Sequence, residues 1–167
     1  MNQSQNVAAT LACDLTVEIV RTFGEVRLRV FGTSMVPSIL PGDLVSIQRA
    51  RISEISSGEI VLYSREGRLF VHRVVACTNS PEQPFLLTRG DRLDHNDPPV
   101  YSAELLGRVT SIRRSDERGN RQVEFPAESF GSSDLLLRAL RTSDRATYLY
   151  LRMSALRRAL FLQRTKC

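Results

Sequence analysis

At 167 residues, 42% hydrophobic and 25% charged, the chain has the length and balance of one globular domain with appendages and a real core. No run approaches the roughly 18 apolar residues of a membrane span, and Met1 to Asn6 lacks the basic start and apolar core of a signal peptide, so a soluble, cytoplasmic or peripheral membrane protein is expected. The net charge of +5 sits in the tail: Ser133 to Cys167 carries eight basic residues and two acidic ones, +6, which leaves the body before it at −1.

Leu11, Leu15, Ile19 and Phe23 recur every four residues with Asp14, Glu18 and Arg21 off that line. This predicts a short amphipathic helix packed on the body and ended by Gly24. From Val26 the pattern alternates, with Val26, Leu28 and Val30 on one face and Arg27, Arg29 and Phe31 on the other, as in a strand. The strand runs into Gly32-Thr33-Ser34-Met35-Val36-Pro37, a tight turn presenting one hydroxyl, and a strand from Leu44 to Gln48 follows Pro41-Gly42-Asp43. Glu59 to Ser64 and Leu69 to Ala76 flank a Gly-containing loop and predict a β-hairpin. A Pro-bounded loop from Asn79 to Pro84 leads to a strand at Phe85 to Thr88 and then to the acidic segment Asp91 to Asp97. Gly107 to Arg113 and Gln122 to Phe125 bring the count to about seven short strands, which predicts a mainly β fold, a sandwich or small partly closed barrel. Ser133-Asp134 and Ser143-Asp144 read as helix N-caps, the second opening a segment with Leu149, Met153, Leu156 and Leu160 on a stripe that Arg152 interrupts. The expected organisation is an N-terminal helical segment (1–25), a β-rich domain (26–126) and a basic helical tail (127–167). Such a tail suits an acidic protein or an anionic membrane surface, with nucleic acid the least expected partner.

Ser34 is the residue to explain, because a serine hydroxyl attacks a carbonyl only with a base to take its proton and donors to hold the oxyanion. Nearly every cation is arginine, and the one lysine is Lys166. Arginine stays protonated, so the base must be a histidine, a carboxylate or a terminus. His72 lies in a β-rich run, where an imidazole needs a partner; a histidine there is usually structural. The acidic loop offers a carboxylate to fix its tautomer. The same loop invites a rival reading, a cation held by Asp91, Asp94, His95 and Asp97, but Leu93 occupies a position where a calcium loop needs oxygen. A solvated Asp/Asn-Pro turn is the plain structural alternative. Cys13, Cys77 and Cys167 are too far apart for a disulfide framework or a zinc-ligand pair, and no cofactor or metal is expected.

The order of the blocks adds to this. Gly-Thr-Ser-Met-x-Pro, then Pro-Gly-Asp, then Phe-Val-His-Arg-Val-Val, then Leu-Thr-Arg-Gly-Asp running to Asp97, then Leu-Gly-Arg-Val, resembles the type I signal peptidases and the self-cleaving SOS repressors over about Val26 to Val109. The resemblance is to the Ser-His type found in microsomal and archaeal enzymes, with His72-Arg73-Val74 standing at the His-Arg block. It implies coiled β-sheets of the signal-peptidase type, Ser34 as nucleophile and His72 as general base. Asp97 matches the acidic residue that orients the histidine and Asp91 the aspartate after Gly90; spacing leaves open which of them touches His72. It also implies a polypeptide substrate added as a strand along Arg29, Val30, Phe31 and Gly32 near Met35, and membrane association. Many signal peptidases carry a serine two residues before the nucleophile; here Gly32 stands there, so the oxyanion would rest on backbone N–H groups such as that of Ser34, with Thr33 nearby. Gly32, the basic tail and the charged helix standing where an anchor is expected also fit a non-catalytic binding or regulatory module, and the repressors suggest a self-processing regulator.

Overall fold

The computed structural model describes residues 3–78, 82–116, 119–124, 140 and 143–163. Its elements are helix α1 (Gln3–Phe23), strands β1 (Glu25–Arg29) and β2 (Leu44–Arg49), a 3-10 turn (Ile52–Glu54), strands β3 (Ile60–Arg65), β4 (Arg68–Thr78), β5 (Phe85–Arg89), β6 (Val100–Tyr101), β7 (Leu105–Asp116) and β8 (Gly119–Glu124), and helix α2 (Asp144–Gln163). The fold is mainly β, as expected, and β6 is the strand that periodicity missed, being two residues long.

All eight strands form one sheet in the order β1-β2-β7-β3-β4-β5-β6, with β8 added on β7, and every pairing is antiparallel. The margins β1 and β6 do not meet, so the sheet is open where a partly closed barrel was expected. Closure would need a full strand at each margin, and β6 offers only two residues. Register shifts at Ser46/Ile47, Leu62/Tyr63 and Val74/Ala76 bend the sheet instead.

β3 is the axis of the core. Ile60 and Leu62 join Val20, Met35, Ile39 and Val45 on one side, while Val61 and Tyr63 join Ile52, Val74, Leu86 and Val100 on the other. A strand buried on both faces reads as a continuous apolar run, and each such side chain contributes about 1.5–3 kcal/mol by leaving water. β7 pairs with both β2 and β3, and Gly107 makes this approach feasible: a Cβ there would lie 2.2 Å from the Gln48 carbonyl oxygen.

Helix α1 forms and ends at Gly24 as predicted, but it turns the other face inward. Cys13, Thr16 and Val20 are buried, whereas Leu11, Leu15, Ile19 and Phe23 are 58%, 56%, 39% and 74% exposed. Residues four apart drift about 40° around a helix at each step, so the four-residue stripe winds away from the sheet. The small Cys13, Thr16 and Val20 stay on one side and let the helix lie close to β1, β2, β4 and β7.

At the other end, the Ser143 hydroxyl accepts the Ala146 amide at 3.3 Å and caps α2, as its Ser-Asp pair predicts. Tyr150 and Leu151 of α2, together with Leu140, pack on Val36 and Leu40 behind the Ser34 turn. Leu149 and Met153, on the stripe that Arg152 interrupts, are 57% and 44% exposed. The predicted cap Ser133-Asp134 and the side chains of Leu156 and Leu160 lie outside the described residues.

Candidate active site

β1 delivers the chain to the Ser34 turn, and backbone bonds fix where the turn sits. The Val30 amide donates to Asp43 O at 2.9 Å and the Gly42 amide to Val30 O at 2.7 Å, closing the loop at its base. Inside it, Val36 N donates to Thr33 O and Ile39 N to Met35 O. Asp43, 2% exposed, accepts the Leu40 amide at 2.8 Å and a two-pronged bond from Arg114 on β7, at 2.9 Å from Nε and 2.6 Å from Nη2. The Pro-Gly-Asp break thus anchors the Ser34 loop to the sheet through a buried ion pair.

On the other side, the Arg92 amide donates to Ser34 O at 2.8 Å. Gly90 permits this contact. A Cβ at Gly90 would meet Ser34 O at 2.8 Å and the Ser34 Cβ at 3.0 Å, so only glycine lets the acidic loop lie against the serine.

His72 projects from β4 and is 5% exposed. Its Nε2 lies 3.0 Å from Ser34 Oγ and its Nδ1 lies 2.6 Å from Asp97 Oδ2. Phe70 and Tyr63 hold the imidazole edge-on, with ring centres 6.0 and 6.2 Å away. An ionised Asp97 only accepts, so the imidazole proton sits on Nδ1, and Nε2 turns its lone pair to the Ser34 hydroxyl.

Asp97 is itself held. Its amide donates to Thr88 O at 2.8 Å, and its Oδ2 accepts the Thr88 hydroxyl at 2.7 Å. Burial pushes this carboxyl up, but hydrogen bonds from His72 and Thr88, with the His72 charge and the Tyr63 hydroxyl, outweigh it and leave Asp97 below its ordinary value. Burial drives the Tyr63 phenol well above its ordinary value, with the Asp97 charge adding to it, so Tyr63 stays neutral. Arg65 fixes the far side of the loop, donating to Pro98 O at 3.3 Å and Pro99 O at 2.8 Å while paired with Glu104 at 2.6 Å.

The other acidic residues go elsewhere. Asp91 takes a fork of two 2.7 Å bonds from Arg73 and accepts the Ser38 hydroxyl, so it braces β4 against the Ser34 loop and does not face His72. His95 and Asp94 pair with each other at the surface, 2.8 Å apart. Asp91, Asp94, His95 and Asp97 therefore diverge, and no three potential metal ligands converge among the described residues.

Of the residues expected to line a substrate, Arg29, Phe31 and Gly32 are exposed and Val30 is half-buried. Val30 turns its N–H and C=O toward the β2 side, so those of Arg29 and Phe31 face the unpaired margin of the sheet. Met35 is different. At 1% exposure it is a core residue, packed with Val20 and Ile39 instead of facing a cleft. Thr33 and Ser34 are half-buried at the rim, and the Ser34 amide has no acceptor among the described residues.

The sequence model of the Peptidase S24-like family matches residues 6–109, which include Ser34, His72 and Asp97. The chain belongs to that family. Two curated relatives extend the likeness: the signal peptidase complex catalytic subunits SEC11 of Colletotrichum graminicola, 36% identical over 78 residues, and of Neurospora crassa, 35% identical over 77. The matched stretch covers 45% and 44% of this chain, and the chain spans 45% of each relative's length. Both comparisons agree with the resemblance read from the ordered blocks. As in the block pattern, the likeness of this S24-like chain is to signal peptidases.

The family's blocks also hold the supporting residues that sequence reasoning passed over. Arg73 stands beside His72 in the His-Arg block, and Thr88 and Gly90 flank Arg89 in Leu-Thr-Arg-Gly-Asp. The alternation of β5, with Leu86, Thr88 and Gly90 buried, was the available signal that Thr88 faces inward. Nothing local marks Arg65, Arg114 or Ser38, whose partners lie 34, 71 and 53 residues away.

Proposed function

We propose that this chain is a serine endopeptidase of signal-peptidase type, with Ser34 as nucleophile, His72 as general base and Asp97 as the group that orients the imidazole. The observation that carries the reading is the unbroken line of two hydrogen bonds, Ser34 Oγ to His72 Nε2 at 3.0 Å and His72 Nδ1 to Asp97 Oδ2 at 2.6 Å. Ser34 attacks the peptide carbonyl as His72 takes its proton, His72 returns that proton to the leaving amine, and Asp97 steadies the imidazolium between the two steps. Water then enters by the same route and releases the acyl group. The free Ser34 amide receives the oxyanion. An extended substrate adds to the unpaired margin of β1 through the main chain of Arg29 and Phe31.

The relatives are named as catalytic subunits of a signal peptidase complex, which supports secretory signal peptides as the substrate class and a membrane setting for the reaction. Among the described residues no helix is long and apolar enough to cross a membrane. Arg145 and Arg152 on the exposed face of α2 support attachment to an anionic surface.

The test is labelling with a fluorophosphonate probe beside cleavage of a signal-peptide panel. Ser34→Ala should abolish both, and His72→Ala should lower the rate by about 10⁴-fold or more with the melting temperature kept. Labelling that survives in Ser34→Ala refutes the assignment.

A further inference from the structure

A second concave site lies at the end of the β1–β2 ribbon away from Ser34. It is a pocket of about 430 Å³ whose rim carries Arg21 from the last turn of α1, Arg49 from the end of β2 and Arg51 before the 3-10 turn. Ser53 and Ser102 stand between them, and Ile52 and Leu106 form part of an apolar floor. The end of α1 and the short β2-to-3-10 junction, two segments distant in sequence, thus bring three guanidinium groups to one opening.

Among the described residues no acidic one lines this pocket, and none of the ion pairs includes Arg21, Arg49 or Arg51. Arg49 is nonetheless held in place, its Nη1 donating to the Arg21 carbonyl at 3.0 Å and its amide to Gly24 O at 2.8 Å. One of its five N–H donors is spent on the helix end, and the rest are free for a ligand. Glu54, the acid nearest Arg51 in sequence, accepts the Arg51 amide at 3.0 Å. General basicity does not explain the cluster, because the chain before Ser133 sums to −1.

Guanidinium groups match the tetrahedral oxygens of phosphate with paired donors, and several of them together favour a dianion. The volume lies in the range of small-molecule sites and exceeds what a bare phosphate fills. We propose that this pocket binds a phosphate monoester, its dianion held by Arg21, Arg49 and Arg51 and its organic part laid over Ile52 and Leu106. Two sources share that chemistry, a soluble phosphorylated metabolite and the headgroup of phosphatidic acid at a membrane surface. The site stands independently of the peptidase reading.

The test uses the full chain with two probes. Glycerol 1-phosphate is titrated by calorimetry, and vesicles of phosphatidylcholine with and without phosphatidic acid are tested by co-sedimentation. The wild type should bind at least one probe, Arg21→Gln and Arg51→Gln should each weaken binding about tenfold, and Arg68→Gln on the β3–β4 hairpin should leave it unchanged. Binding of the soluble ester identifies the metabolite source, and binding of the vesicles alone identifies the headgroup. Amide shifts in the wild type at Ser53 and Ser102 on addition of the bound probe localise the site without any variant. Failure of both probes, shifts confined elsewhere, or affinity equal in Arg21→Gln, Arg51→Gln and wild type overturns the proposal.

Discussion

Gly90→Ala tests whether the Ser34 turn is positioned by the loop that carries the acidic residues. The new methyl carbon would lie 2.8 Å from the Ser34 carbonyl oxygen, 3.0 Å from its Cβ and 3.1 Å from Leu93 Cδ1. Leu93 can swing aside; the serine backbone cannot, because the Arg92 amide holds its carbonyl at 2.8 Å. Restoring ordinary van der Waals contact requires a shift of roughly 0.5 Å, and overpacking of this kind costs about 1–3 kcal/mol. For a domain of this size that is a fall in melting temperature of about 2–4 °C for each kcal/mol. The same shift lengthens or bends the 3.0 Å bond between Ser34 Oγ and His72 Nε2. Misplacements approaching 1 Å at a reacting centre cost up to about 10²-fold in rate, so kcat should fall between about tenfold and 10²-fold while KM changes little. Fluorophosphonate labelling rates and calorimetric melting of the purified variant read both effects. A variant that melts and labels as the wild type does would show that Gly90 leaves room the geometry denies.

Asp97→Asn should lower kcat by up to about 10⁴-fold by favouring the wrong imidazole tautomer. It should also change acid stability. Because the folded Asp97 carboxyl lies below its ordinary 3.8, its contribution is complete above that value and lost as pH falls through the lower folded value. Urea midpoints from about pH 6 to about pH 3 should therefore fall less steeply in Asp97→Asn than in the wild type, and equal slopes would refute this. Gly32→Ser is expected to fold normally, since a Cβ there meets nothing within 4 Å, and to raise kcat about tenfold or more by adding an oxyanion donor; an unchanged kcat would place position 32 away from the oxyanion. Arg114→Met leaves the buried Asp43 carboxylate unpaired and should destabilise by about 3 kcal/mol, the low end for such pairs because Arg114 is 31% exposed. Denaturant unfolding reads it, and a loss under about 1 kcal/mol would count against the anchoring role given to that pair.

Much of the fold was legible in short windows. Alternation located β1 and short β-rich runs located β2, β3, β4, β5 and β7, the β3–β4 hairpin followed from its Gly-containing loop, and Gly24 and Ser143 marked a helix end and a helix start. These features depend on backbone preferences that act over a few residues. Where packing chose between surfaces, the sequence was ambiguous. α1 has two faces with apolar residues, and the shape of the sheet selected the one with smaller side chains. Met35 stood beside Ser34 in the sequence, yet the turn directs it into the core. The two-residue β6 carries too little pattern to be seen, and with it goes the margin that closure would require.

For the candidate site, the sequence by itself determined the inventory: a hydroxyl in a turn, a strand histidine, no internal lysine to serve as base, and an acidic loop, in an order matching a peptidase family. Only the tertiary structure decided which of these meet. Ser34 and His72 are 38 residues apart, and His72 and Asp97 are 25 apart, so their distances follow from strand register and loop anchoring. Thr88 draws Asp97 to the imidazole through a backbone and a side-chain bond, while Arg73, next to His72 and pointing to the other side of β4, takes Asp91 for the brace. Both aspartates have the same chemistry. Their different partners are set by the two-residue alternation of a strand, which sends neighbours to opposite faces.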